Sequence, residues 1–101
     1  MEITLMSSDI ENKIKVVGRI DTVTAGSFQE QMEKIFTEKP QNIELDCSEL
    51  SFLSSAGLRS LFILSKKVQT AKKTITLKSV NDNVREVLKI SGFISFFKIV
   101  D

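Results

Sequence analysis

Asp46-Cys-Ser-Glu-Leu-Ser-Phe-Leu-Ser-Ser-Ala-Gly-Leu-Arg59 is the stretch on which the reading of this chain turns. The apolar run that leads into it, Ile43 to Asp46, predicts a strand, and a short polar connection then runs into Phe52-Leu53. Two adjacent serines, Ser54 and Ser55, stand where a helix should begin. The small pair Ala56-Gly57 follows them, and Leu58, Leu61, Phe62 and Ser65 recur at helical spacing to about Ala71. Hydroxyls at the start of a helix are exposed, and the free N–H groups of the first turn favour negative charge there. Such a place can carry a phosphate without disrupting the fold.

Working outward, residues 2–7 alternate weakly and predict a strand. Asp9 to Asn12 read as a polar turn, and residues 13–20 as a second strand in a hairpin with the first. Gly18 inside that strand marks a bulge or a close approach of another backbone. Asp21-Thr22 ends the strand, and Thr24 is the expected helix N-cap. Ala25, Phe28, Met32, Ile35 and Phe36 then give an amphipathic helix over 25–37.

Beyond the central stretch, Thr74 to Ser79 is β-branched and alternating, a further strand. Asn81 should cap a third helix, with Val84, Val87, Leu88 and Ser91 on one face and Gly92 just past its end. Phe93 to Val100 predicts a final strand or a strand-like tail. Phe52, Phe62, Phe93, Phe96 and Phe97 read mostly as core, with the Phe96-Phe97 pair pointing to opposite faces. The order β-β-α-β-α-β-α-β implies an α/β domain over residues 1–101, a small mixed sheet with three helices packed against it.

Composition narrows the function. Of 101 residues, 14 are basic and 13 acidic, so the net charge of +1 gives no electrostatic case for nucleic acid or a membrane surface. There is no histidine, which removes the usual general base and the commonest metal ligand. The single cysteine, Cys47, has no partner for a disulfide or a zinc site and fits a reducing compartment. No apolar run is long enough to span a bilayer, and the first residues lack the basic segment of a signal peptide. The expectation is a cytoplasmic protein, not an enzyme, with no cofactor or metal and no membrane insertion.

With that order established, the chain resembles the STAS domain of bacterial anti-sigma factor antagonists. Gly18-Arg-Ile-Asp-Thr-Val-Thr-Ala25 is similar to the family's approach to its first helix. Ile43 to Leu58 is similar to its central signature, a strand ending Leu-Asp-x-Ser followed by Phe-x-Asp-Ser-Ser/Ala-Gly-Leu. Asn81 to Phe93 is similar to its last common helix, and the extra C-terminal helix of many members is not expected here. In that family the first serine after the signature aspartate is phosphorylated, and the matching position is Ser55. The aspartate itself is replaced by Ser54, which leaves two hydroxyls side by side, one to cap the helix and one to accept phosphate.

The resemblance implies a phosphorylation-controlled antagonist. Unmodified, it would bind an anti-sigma factor that is also a serine kinase, through Asp21, Thr22, Ser54, Ser55, Ala56, Gly57 and Arg59. Phosphorylation of Ser55 would end that binding and a PP2C-type phosphatase would restore it, with the domain monomeric when free. Five of these residues also have a plain structural reading: Ser54 or Ser55 as N-cap, Asp21 as a turn carboxylate, Gly57 as a close-packing residue, Arg59 as a solvated charge. Asp46 is expected to organise its loop by accepting backbone hydrogen bonds. Two other classes compete. One is a constitutive STAS subunit of a lipid-transport ABC complex. The other, a nucleotide-binding loop built on Ser-Ser-Ala-Gly, lacks the glycine-rich run with lysine that a phosphate cradle needs.

Overall fold

The computed structural model describes residues 1–101. Its elements are β1 (Glu2–Ser7), β2 (Glu11–Ile20), α1 (Ala25–Glu38), β3 (Asn42–Leu53), α2 (Ser55–Thr70), β4 (Ile75–Lys78), α3 (Asp82–Ser91), a single 3-10 turn (Phe93–Phe96) and β5 (Lys98–Val100). The five strands lie side by side in sequence order. β1 is antiparallel to β2, and β2 through β5 are parallel. Crossovers of one hand through an order that always advances the same way put all three helices on one face of the sheet.

That face holds the core. Ile14, Val16, Leu45, Cys47 and Leu77 point into it from the strands, and Phe28, Met32, Leu61, Leu64 and Leu88 meet them from the helices. The alternate strand positions, Lys13, Lys15, Glu44, Asp46, Thr76 and Lys78, stand half-buried or exposed on the other face. The period-2 pattern is therefore that of a sheet covered on one side. Asn12 is the fully buried exception, and its amide is satisfied on both sides: Oδ1 accepts from Ser7 Oγ at 2.8 Å and Nδ2 donates to the Lys39 carbonyl at 2.8 Å.

Strand β3 corrects the expected connection after Asp46, because it runs on without a break to Leu53. Lys15 is opposite Asp46 but Val17 is opposite Glu49, and Gly18 is opposite Leu50 but Arg19 is opposite Phe52. At each step β3 spends one residue more than β2, so it carries two bulges. The polar residues that look like a loop in sequence are these bulges. Asp46 Oδ1 accepts from the Ser48 N–H at 2.9 Å, and Ser51 Oγ donates to the Gly18 carbonyl at 3.1 Å. Gly18, on β2 opposite the second bulge, has φ +104, a left-handed conformation that glycine adopts readily.

The end of the chain is a second correction. Phe93–Phe96 form a 3-10 turn and only Lys98–Val100 are strand, so Phe96 and Phe97 do not alternate across a sheet. Phe97 is buried. Phe62, Phe93 and Phe96 are half-buried and pack on one another, with centroids 4.6 Å apart for the stacked Phe62–Phe93 pair. Phe52 is half-buried too, beneath the Arg19 guanidinium at 4.3 Å. Asn81 caps α3 as expected, with Oδ1 accepting from Val84 N–H at 2.8 Å. Its Nδ2 also donates to the Leu50 carbonyl at 3.0 Å, standing in where the short β4 no longer covers the edge of β3.

Candidate functional site

The site lies where two neighbouring parallel strands turn into helices. β2 ends at Ile20 and β3 at Leu53, and the Ser54 N–H donates to the Ile20 carbonyl at 2.9 Å, which ties the two turns together. In open α/β sheets, ligands bind outside the carboxyl ends of the strands. Here those loops carry Asp21 to Thr24 on one side and Ser54 to Gly57 on the other.

Ser54 is extended, with φ −84 and ψ 173, and its Oγ accepts from the Gly57 N–H at 3.1 Å. It is the N-cap of α2. Its hydroxyl is committed to the backbone, and its carbonyl takes the first helical bond, from Leu58 N–H at 2.8 Å. Ser55 is the first residue of the helix, exposed, and its hydroxyl has no hydrogen-bond partner in the fold. The two adjacent serines therefore do different things. Ser54 holds the helix and Ser55 is free.

Gly57 is buried behind them. A Cβ there would stand 2.6 Å from the Ile20 carbonyl oxygen, 2.7 Å from Ile20 Cγ2 and 2.9 Å from Leu53 Cδ1. Only a residue without a side chain lets the first turn of α2 sit this close to the end of β2. One turn further, Ser60 is buried and its Oγ lies 3.1 Å from the Ala25 carbonyl, which stitches α2 to the first turn of α1.

Between these first turns lies an open cleft of about 520 Å³ lined by Thr22, Ala25, Gly26 and Gln29 on one wall and Ser55, Ala56, Arg59 and Ser60 on the other. The fold thus brings together Thr22, Ser55, Ala56 and Arg59 of the expected partner-binding set. Ser54 and Gly57 lie just behind, holding the wall.

Asp21 has the turn-carboxylate place that the sequence offered beside its partner-contact reading. Its Oδ1 accepts from the N–H groups of Val23 at 3.0 Å and Thr24 at 3.1 Å, and Oδ2 lies 3.5 Å from Arg19 Nε. The Thr24 amide above all, against a smaller effect of burial, holds its carboxyl below the usual range. Thr24 occupies the N-cap position of α1, yet its hydroxyl caps nothing in the helix. It donates to the Arg19 carbonyl at 2.8 Å and accepts from the Asp21 N–H at 2.9 Å. The loop is locked on itself and presents Val23 outward, 88% exposed. Sequence reading missed Val23; a lone apolar residue between two turn-forming polar ones was the available signal.

No cluster of carboxylate and thiol side chains could hold a metal, and burial pushes the Cys47 thiol up to about 12. No helix is long and apolar enough to cross a membrane.

A five-stranded mixed sheet with three helices on one face defines a small α/β domain. The chain belongs to the STAS domain family, whose model matches residues 8–101. It is 27% identical over 84 residues to BtrV of Bordetella bronchiseptica, a candidate anti-sigma factor antagonist, covering 83% of this chain and 72% of that protein. It is 30% identical over 60 residues to the anti-sigma-F factor antagonist RsfB of Mycobacterium tuberculosis, covering 59% of this chain and 49% of RsfB. Among solved structures, unphosphorylated SpoIIAA, an anti-sigma factor antagonist, shares the fold with a TM-score of 0.82 at 17% identity over 99% of this chain and 89% of SpoIIAA. The phosphorylated form of Bacillus SpoIIAA gives 0.75 at 16% identity, over 99% and 92%.

Proposed function

We propose that this chain is an anti-sigma factor antagonist whose binding is switched by phosphorylation of Ser55. Unmodified, it docks on an anti-sigma factor that is also a serine kinase, through the cleft between the first turns of α1 and α2, and so frees the sigma factor that the kinase holds. The kinase supplies ATP and magnesium; the domain is a substrate and a ligand, not an enzyme. Phosphorylation ends the binding and a PP2C-type phosphatase reverses it. The relatives named as anti-sigma factor antagonists support the general role.

One observation carries the choice of residue: of two adjacent serines, Ser54 spends its hydroxyl on the α2 cap while Ser55 leaves its own exposed and unbonded. A phosphate on Ser55 adds about −1.5 to −2 charges. At the first position of a helix the free N–H groups tolerate that charge, so the fold persists and the effect falls on the partner. Weakening the complex tenfold needs only about 1.4 kcal/mol.

The test is intact mass with site mapping after incubation with the candidate anti-sigma factor kinase and ATP, for the native chain, Ser54→Ala and Ser55→Ala. One phosphate on the native chain and on Ser54→Ala, and none on Ser55→Ala, is the expected result. Stable binding to the kinase with no phosphate on any of the three would overturn the switch and favour a constitutive scaffold role.

A further inference from the structure

Two of the three arginines have acidic partners: Arg19 lies 3.5 Å from the Asp21 carboxylate, and Arg85 reaches Asp101 at 3.4 Å. Arg59 has neither an ion pair nor a hydrogen bond and is exposed. It stands four residues after Ser55 on α2 and lines the same cleft. α2 has no acidic residue in its first turn or anywhere along Ser55–Thr70, so nothing within the helix competes for that guanidinium. The facing wall offers only Thr22, Ala25, Gly26 and Gln29, all uncharged, and the Asp21 carboxylate is turned into its own loop.

We infer that Arg59 is the internal receiver of the phosphate on Ser55. The inference rests on Ser55 being the acceptor. Side chains four apart on a helix are neighbours, and the order acid first, base second is the favoured one. A guanidinium presents paired N–H donors that match two phosphate oxygens. Modification therefore changes two groups at once: it adds a dianion to the cleft and withdraws the one unpaired arginine from it. Arg59 acts here as a positioning residue, fixing the phosphate against the start of α2 so that it blocks the cleft.

The inference can be tested without any kinase by installing phosphoserine at position 55 during translation and following the phosphate by ³¹P NMR as pH is varied. In the native background the second ionisation of the phosphate falls below its usual value of about 6. Arg59→Gln raises it by about half a unit or more, Arg59→Lys by less, and Lys66→Gln, two turns further along, leaves it unmoved. The Arg59 Nε–H resonance also shifts between the serine and phosphoserine proteins. Superimposable titrations of the native and Arg59→Gln phosphoproteins, with an unmoved Nε–H resonance, would overturn the inference. An Arg59-dependent titration together with no phosphate transfer from the kinase would instead keep this contact and remove the switch.

Discussion

The first turns of α1 and α2 face each other across one cleft and follow the same kind of strand end, yet they spend their polar groups in opposite ways. At α1, Asp21 and Thr24 turn every side-chain oxygen inward, onto the Val23 and Thr24 amides, the Asp21 amide, the Arg19 carbonyl and the Arg19 guanidinium, and only the exposed Thr22 hydroxyl ahead of the helix is left unbonded. At α2, Ser54 makes the one cap bond and Ser55 makes none. The two glycines differ in the same sense. Gly57 on α2 is wedged against Ile20 and Leu53, whereas a Cβ on Gly26 of α1 would meet nothing within 4 Å. So α1 contributes a wall whose entry loop is bonded onto itself, and α2 is pressed tightly into place while leaving the Ser55 hydroxyl out. Of the two unspent hydroxyls on the cleft, Thr22 and Ser55, only Ser55 stands inside the first turn of a helix, where added negative charge is tolerated.

The largest effect should come from the glycines. Gly57→Ala drives a methyl into backbone and core atoms and should cost about 1–3 kcal/mol, read as a lower urea midpoint. Gly26→Ala should be neutral or stabilise by up to about 1 kcal/mol, since alanine is the better helix former and the space is open. Equal costs at both positions would break the contrast between the two walls. Next, Ser54→Ala removes the α2 cap and should lower stability by about 1 kcal/mol, while Ser55→Ala should leave it unchanged in the same urea titration. A cost on Ser55→Ala alone would reverse the roles of the two serines.

The α1 loop can be tested by pH. Asp21 has a carboxyl held below its usual value, so its contribution is present above the unfolded value of about 3.9 and fades as pH falls through the lower folded value. Asp21→Ala should therefore unfold at lower urea than the native chain at pH 7, and the gap should close as the pH drops below about 3.9. A gap that stays constant with pH would show that the carboxylate is not what locks the loop. The smallest effect concerns Cys47: its buried, protonated thiol should resist alkylation at pH 8 in the native state and react once the chain is unfolded in urea.

Periodicity placed the three helices and the hairpin because amphipathic spacing and alternation report directly on which face is buried. Asn81, Gly92 and the serine pair marked helix ends through chemistry that needs no tertiary context. β3 was legible only in part. A bulge inserts residues that break alternation, and Asp46-Cys-Ser-Glu mimics a turn until its pairing with β2 is known. The 3-10 turn at Phe93–Phe96 was hidden for a similar reason, since its apolar residues pack on Phe62 from another element. At the site, Ser54, Ser55, Gly57 and Arg59 were all identifiable from spacing and resemblance. Which serine is spent and which is free depends on a single hydrogen bond. Asp21 was legible as a turn carboxylate but not which amides it holds, and the exposure of Val23 was signalled only by a lone apolar residue between two threonines.

The central claim is that the charge on Ser55 controls binding without touching the fold. Its most direct test compares the serine and phosphoserine-55 proteins for affinity to the anti-sigma factor kinase, with thermal unfolding of each recorded alongside. The account predicts nearly equal Tm values and an affinity lower by tenfold or more for the phosphoprotein. Equal affinities would contradict it, and so would a loss of binding that tracks a collapse of the phosphoprotein's own stability.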